Sequence, residues 1–189
     1  MQLLLAPPPR LDDPLVHVVA DFFATMEGLD GPGPSARGYL AGGVAVRCYV
    51  GVRATDDVDM FFQGARVLVP TGTTFVTGEK QALVFDHQYT PDFGLLHPDF
   101  ADRAVPLVTL PGRRLRLWVL HPVDLALTKV MRFAEHDQAD IKALASTRCF
   151  DAEALLTLGE GALGYAVGNL TFARANLRDA AELVRNVTA

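Results

Sequence analysis

A chain of 189 residues, 50% hydrophobic and 21% charged, holds enough apolar material for one compact domain, or a small domain with a helical extension, and is not the composition of a disordered polypeptide. Its formal net charge of −5 gives no general attraction to nucleic acid, so such a contact needs a local basic patch. Its two cysteines, Cys48 and Cys149, make neither a disulfide framework nor a zinc spacing and read as small apolar residues in a reducing compartment. The opening stretch MQLLLAPPPR lacks the basic start and the apolar length of a signal peptide, and no apolar run approaches the ~20 residues of a membrane span. The expectation is a cytoplasmic protein with no membrane partner.

From Asp13 to Met26, Leu15, Val19, Phe22 and Met26 recur at helical spacing, with Asp12 or Asp13 as cap and Pro14 in the first turn. GLDGPGP, residues 28–34, ends this packing helix and delivers the chain to a strand closing on Tyr39, Leu40 and Ala41. Gly42 and Gly43 then make a turn, and Val44 to Val50 have the length and apolar content of a short buried helix. Strand, glycine turn, helix is an order that cradles phosphate on backbone N–H groups. After a break at Gly51, Arg53 and Thr55 lead into a strand from Asp57 to Phe62. On one strand Asp57 and Asp59 share a face, with Cα atoms ~6.7 Å apart, while Asp56 points the other way. Two carboxylates so placed repel by roughly 2–3 kcal/mol at an effective dielectric of about 20, a strain that a divalent cation or full solvation relieves.

Short apolar or β-branched runs follow at Val67–Pro70, Thr73–Thr77 and Gln81–Asp86, giving two or three strands. Asp86 ends a strongly apolar run, and either it or Asp92 is placed to be a third carboxylate; Asp86 equally well starts the polar loop behind it. HPDFADRA, residues 97–104, suits a short helix, and Val105–Leu110 and Arg113–Leu120 a hairpin across Pro111-Gly112. In its second strand Arg114 and Arg116 alternate with Leu115 and Leu117, leaving one basic face that is either solvated or, with Arg113, set against a phosphate backbone. A helix from His121 to Ala134 carries the stripe Leu127, Val130, Met131 and Ala134 and puts Lys129 and Arg132 one turn apart. Asp137 reads as the N-cap of a helix over 138–146, and Asp140 as a partner for Lys129 or Arg132. Asp151 caps a helix through about Leu158, the glycines from Gly159 to Gly168 bend or break it, and Thr171 to Val187 is a last packing helix with Phe172, Ala175, Ala180, Leu183, Val184 and Val187 inward.

Gly-Gly, a helix, and then Arg53-x-Thr55-x-Asp57-Val58-Asp59 resembles the signature of the DNA polymerase beta-type nucleotidyltransferase superfamily, and most closely its branch of AbiEii-like toxin components. Pro122 to Leu125, Lys129, Arg132 and Asp137 to Ile141 are similar to the downstream motifs of that branch. The superfamily often has Gly-Ser where this chain has Gly42-Gly43, so a serine contact to phosphate is missing. The resemblance implies an α/β (α+β) fold: a mixed sheet flanked by helices over residues 1–120, and a helical region over 121–189 packed on it. It implies magnesium held as two ions by Asp57, Asp59 and Asp86, and a nucleoside triphosphate bound by Gly42, Gly43, Arg53 and Lys129. Its acceptor would be a hydroxyl of RNA, such as tRNA, or of a protein, and its partner a cognate antitoxin.

The expected activity is therefore transfer of a nucleoside monophosphate to a hydroxyl with release of pyrophosphate. The alternative for Arg53, in place of phosphate, is to brace its loop by bonding to Asp56. A rival of another class is a non-catalytic module that keeps the fold and binds a nucleotide or a protein; absence of a third acid would favour it. A small-molecule nucleotidyltransferase of the antibiotic-modifying kind would need a further acidic pocket for a cationic substrate.

Overall fold

The computed structural model describes every residue except 1–2, 27–32, 52, 79, 109–111, 168 and 189. It divides into a sheet unit, residues 8–89 and 104–120, and a helical unit, residues 1–7, 90–103 and 121–189.

The sheet unit begins with α1 (Pro14–Thr25), whose N-cap Asp13 accepts the Leu15 N–H at 3.0 Å, with Pro14 in the first turn where its missing N–H costs nothing. β1 (Ala36–Leu40) leads into α2 (Gly42–Val50), and β2 (Asp57–Val58), β3 (Met60–Gly64), β4 (Thr74–Val76), β5 (Ala82–Phe85), β6 (Val105–Val108) and β7 (Leu115–Val119) follow. They form two mixed sheets, ordered β3-β1-β7-β6 and β2-β5-β4. In the first, β1 runs antiparallel to β3 and parallel to β7; in the second, β2 runs parallel to β5 and β4 antiparallel to it.

The single strand expected over Asp57–Phe62 is broken at Asp59. Asp57 pairs with Val84 in the smaller sheet, whereas Met60 pairs with Leu40 in the larger, so the chain changes sheet at Asp59. Phe23 of α1 spans both sheets, 5.9 Å between ring centroids from Phe62 on β3 and 6.3 Å from Phe85 on β5. Fully buried, that ring contributes on the order of 1.5–3 kcal/mol of apolar burial. Arg47 of α2 grips Asp13 through Nε and Nη2, at 3.0 and 2.7 Å, and its Nη1 donates to the Arg53 carbonyl at 3.0 Å. One arginine thus pins α1, α2 and the segment that leads to the acids.

The helical unit holds a 3-10 turn (Pro91–Phe93), α3 (Phe100–Arg103), α4 (Pro122–Thr128), α5 (Glu135–Ala145), α6 (Ala152–Leu163) and α7 (Thr171–Thr188). α4 stops well short of Ala134. Lys129 is its C-cap, Phe133 takes a left-handed φ of 50°, and α5 starts three residues earlier than the spacing predicts. Asp137 therefore lies inside the first turn of α5 and reaches back to accept the Ala134 N–H at 3.1 Å, and it is not the N-cap residue. α6 runs straight through Gly159, because a Cβ there would meet Leu177 Cδ1 at 2.5 Å and Leu127 Cδ2 at 3.1 Å: the glycine permits close packing of helices and breaks nothing. On α7 the buried residues are Ala173, Leu177, Ala180, Ala181 and Val184, and Phe172, expected inward, is 76% exposed. Both cysteines are free and buried.

The architecture is α+β, with two mixed sheets, seven α-helices among the described residues and a mostly helical C-terminal half. Among the described residues no helix is long and apolar enough to cross a membrane.

Candidate active site

The first turn of α2 supplies the site's backbone. Helix geometry leaves the leading N–H groups without intrahelical acceptors, and Ala41, the N-cap, contributes no side-chain cap. The glycines are the first two helical residues, not a turn ahead of the helix. Gly42 has φ +58°, a left-handed conformation that side chains disfavour. A Cβ on it would overlap the Asp59 carboxylate and stand 2.6 Å from its Cγ. A Cβ on Gly43 would overlap the Thr55 hydroxyl and stand 2.7 Å from the Thr55 Cβ. Each glycine is thus the seat of a polar side chain from the segment on either side of β2.

The acids are set by the register. Ala41 N–H donates to the Asp59 carbonyl at 2.9 Å, which locks residue 59 beside the start of α2. Along Asp57, Val58, Asp59 and Met60 the exposure alternates exposed, buried, half-buried, buried. Asp57 is opposite Val84 and Val58 opposite Phe85, and the Asp86 N–H donates to the Val58 carbonyl at 3.1 Å. Asp86 is half-buried and uses Oδ1 to accept the Gln88 N–H at 2.8 Å, the turn that begins the polar loop. The loop-starting reading of Asp86 describes this turn.

That turn brings in a residue the sequence reading did not single out. The Tyr89 N–H donates to the Asp86 carbonyl at 3.4 Å, and the ring lies tilted over Phe61, 6.4 Å between centroids. Burial, and then the negative charges of Asp59 and Asp86, hold the Tyr89 phenol protonated far above its ordinary range. Tyr89 is therefore a neutral hydroxyl in the field of both carboxylates. The sequence signal was only the three-residue distance from Asp86 across a turn.

Magnesium takes one or two carboxylates and fills its shell with water and substrate phosphates. Asp57 and Asp59 fit that donor set: Asp57 has no ion-pair partner among the described residues, and the Asp59 carboxylate sits on the Gly42 backbone where polyphosphate would be cradled. Among the described residues no group of three or more His, Cys, Asp or Glu side chains stands ready for a metal ion. Asp86 thus adds no preformed third ligand to the pair.

The remaining expected residues make contacts of their own. Arg53 is half-buried, with Nη1 donating to the Ala54 carbonyl. Asp92 lies in the helical unit, where its carboxylate accepts from the Thr90 hydroxyl at 3.2 Å. Lys129, also in the helical unit, is buried, its Nζ 3.3 Å from Asp140 and 4.0 Å from Asp137. Arg132 makes a bidentate pair with Asp137, both bonds 2.7 Å, so each basic residue of this segment faces an acid. Of the arginines in the hairpin, Arg113 donates to the Phe23 and Met26 carbonyls, and Arg114 lies against Gly33. Arg116 remains exposed, and its cross-strand neighbour is Arg37.

The DUF6036 family model, described as a nucleotidyltransferase of unknown function, matches residues 20–177. No curated protein and no solved structure matches the chain. The matched span contains both glycines, Thr55, all three acids and Lys129, and covers more than half of the sequence. The chain belongs to the DUF6036 family of nucleotidyltransferases of unknown function.

Proposed function

We propose that this nucleotidyltransferase is metal-dependent and moves a nucleoside monophosphate from a nucleoside triphosphate to a hydroxyl. The observation that carries the reading is the overlap a Cβ at Gly42 would make with the Asp59 carboxylate: phosphate cradle and acid share one spot. The leading N–H groups of α2 bind the triphosphate, since they are unspent donors at the positive end of a helix. Asp57 and Asp59 hold magnesium, which when bound supplies Lewis-acid polarisation of phosphate oxygens and a lowered pKa for the attacking hydroxyl. A second ion would draw on Asp86. The attacking oxygen forms its bond to the α-phosphorus, the bond to the β-phosphate bridging oxygen breaks, and pyrophosphate leaves. Asp86, half-buried at the end of β5, is the candidate to accept the proton from the attacking hydroxyl. Arg53 contributes positive charge near the cradle. Lys129 we assign to holding α4 on α5 through Asp140, because its ammonium is already neutralised there.

RNA is the acceptor favoured, by the exposed Arg37–Arg116 row, with a protein hydroxyl as the other arm of the test. The setting of a toxin component held by an antitoxin rests on the AbiEii-like resemblance alone, and growth arrest on expression, relieved by Asp57→Asn, would support it. The non-catalytic reading is favoured by one observation, the lack of a three-member metal group among the described residues. Incubation with each of the four labelled nucleoside triphosphates, magnesium and cellular RNA or protein separates the two. Label incorporated by the wild type and lost in Asp57→Asn and Asp59→Asn supports transfer; triphosphate binding without any incorporation supports the binding module.

A further inference from the structure

We infer that Thr55 is a positioning residue that couples the glycine turn to the Asp57 carboxylate. The inference rests on the proposed function. Thr55 is buried, at 8% exposure, although it stands in a loop between exposed Ala54 and exposed Asp56. Its side chain occupies the space over Gly43 that any other residue there would fill. From that seat its hydroxyl donates to Asp57 Oδ1 at 3.0 Å, with the Asp57 carbonyl a longer 3.3 Å away.

Three consequences follow from this geometry. The hydroxyl fixes the rotamer of an otherwise exposed aspartate, so the carboxylate does not swing freely in water. It spends one lone pair on Oδ1 and leaves Oδ2 uncommitted to Thr55, so the carboxylate keeps acceptor capacity for a cation. A small displacement of the first turn of α2, such as triphosphate binding on the Gly42 and Gly43 N–H groups would produce, passes to Asp57 through a single hydrogen bond. Thr55 touches neither substrate nor reacting atoms, so its effect is on how tightly the acid pair holds its cation. Holding the side chain ordered before the cation arrives is worth up to about 1.4 kcal/mol, hence a change of up to about tenfold in affinity.

The probe is Mn²⁺ binding, followed by electron paramagnetic resonance on the full chain with a non-hydrolysable triphosphate analogue. Thr55→Val keeps the shape over Gly43 and removes the donor; Thr55→Ser keeps the donor. The expected result is Mn²⁺ affinity weakened by up to about tenfold in Thr55→Val and within about twofold of wild type in Thr55→Ser. In an Asp57→Asn background the same Thr55→Val change should cost nothing further, whereas a merely structural role would show in both backgrounds and in the melting temperature. Equal Mn²⁺ affinity in Thr55→Val and wild type overturns the inference while leaving the metal assignment intact. If Thr55→Val does not fold, loss of affinity in Thr55→Ser overturns it as well. Failure of the wild type to bind Mn²⁺ at all overturns the proposed function, and the inference with it.

Discussion

Lys129 shows how burial changes the meaning of a charge. An ammonium 3.3 Å from Asp140, both side chains nearly inaccessible, has no surplus charge to offer a nucleotide. Removing it takes the ammonium away from the buried Asp140 carboxylate, and breaking a buried ion pair costs about 3–5 kcal/mol. Lys129→Met is therefore expected to lower the denaturant-unfolding free energy by that amount and to leave triphosphate affinity, measured on the folded fraction, unchanged. A large loss of affinity with unaltered stability would return Lys129 to the nucleotide. Gly42 is the opposite case, a residue with no side chain whose chemistry is in the space it leaves. Gly42→Ala forces a left-handed φ on alanine, costing about 1–2 kcal/mol, and also drives its Cβ into the Asp59 carboxylate. The variant should lose nucleotide binding well before it loses its circular-dichroism spectrum, and equal binding would separate cradle from acid.

At the scale of elements, α4 depends on a histidine used as a cap. His121 Nδ1 accepts the Val123 N–H at 3.2 Å, and Nε2 carries the proton toward the Leu4 carbonyl at 3.1 Å. Both ring nitrogens are satisfied only in the neutral tautomer, and burial, with Arg103 nearby, lowers the pKa below its ordinary value of 6.5. A folded-state pKa below the unfolded one means the unfolded chain binds more protons in the window between them. The His121 contribution is therefore complete above about pH 6.5 and is lost as pH falls through the lower folded value. Thermal unfolding of wild type should weaken across that window, and His121→Asn, which caps without titrating, should flatten the dependence there. An unchanged slope would remove His121 from the hold on α4.

The elements also show what the sequence made legible. Asp13, Pro14 and the spacing of Leu15, Val19 and Phe22 fix α1 locally, and it forms where expected. The strand-glycine-helix order around Gly42 and the acids after Thr55 were readable because turn chemistry and charge are local. The break at Asp59 was not, because it is made by pairing with two different sheets, and sheet exchange leaves no mark on alternation. The end of α4 was hidden for a similar reason: Phe133 adopts a left-handed turn that its side chain does not advertise, with Arg132 and Asp137 closing it. Helical periodicity says which residues share a face, not which neighbour that face meets, so the exposure of Phe172 and the close packing at Gly159 leave no mark in it. Tyr89 is brought in by a local turn from Asp86, but its place against Phe61 is a tertiary contact.

Across the whole molecule the charge distribution bears on the acceptor. The net charge is −5, yet Arg37 and Arg116 are cross-strand neighbours, both exposed and without an acid partner among the described residues. Like charges opposite each other destabilise a sheet unless an anion lies near. Asp59, Phe61 and Gln63 alternate along the same stretch of chain as far as the arginine row, since Arg37 pairs with Gln63. The acid and the row are thus roughly 13 Å apart at strand spacing. Replacing both arginines by glutamine should weaken RNA binding and reduce its salt slope by about 2, one for each phosphate contact. Unchanged RNA affinity and slope would turn the search toward a protein hydroxyl.

Titration calorimetry of a non-hydrolysable nucleoside triphosphate, with magnesium and with chelator, on wild type and on Asp57→Asn and Asp59→Asn, addresses the joint grip of glycine turn and acids most directly. Wild type should bind at least about tenfold more tightly with magnesium, a difference of about 1.4 kcal/mol, and both variants should lose that difference while melting like the wild type. A triphosphate bound with equal affinity in all of these conditions would contradict it.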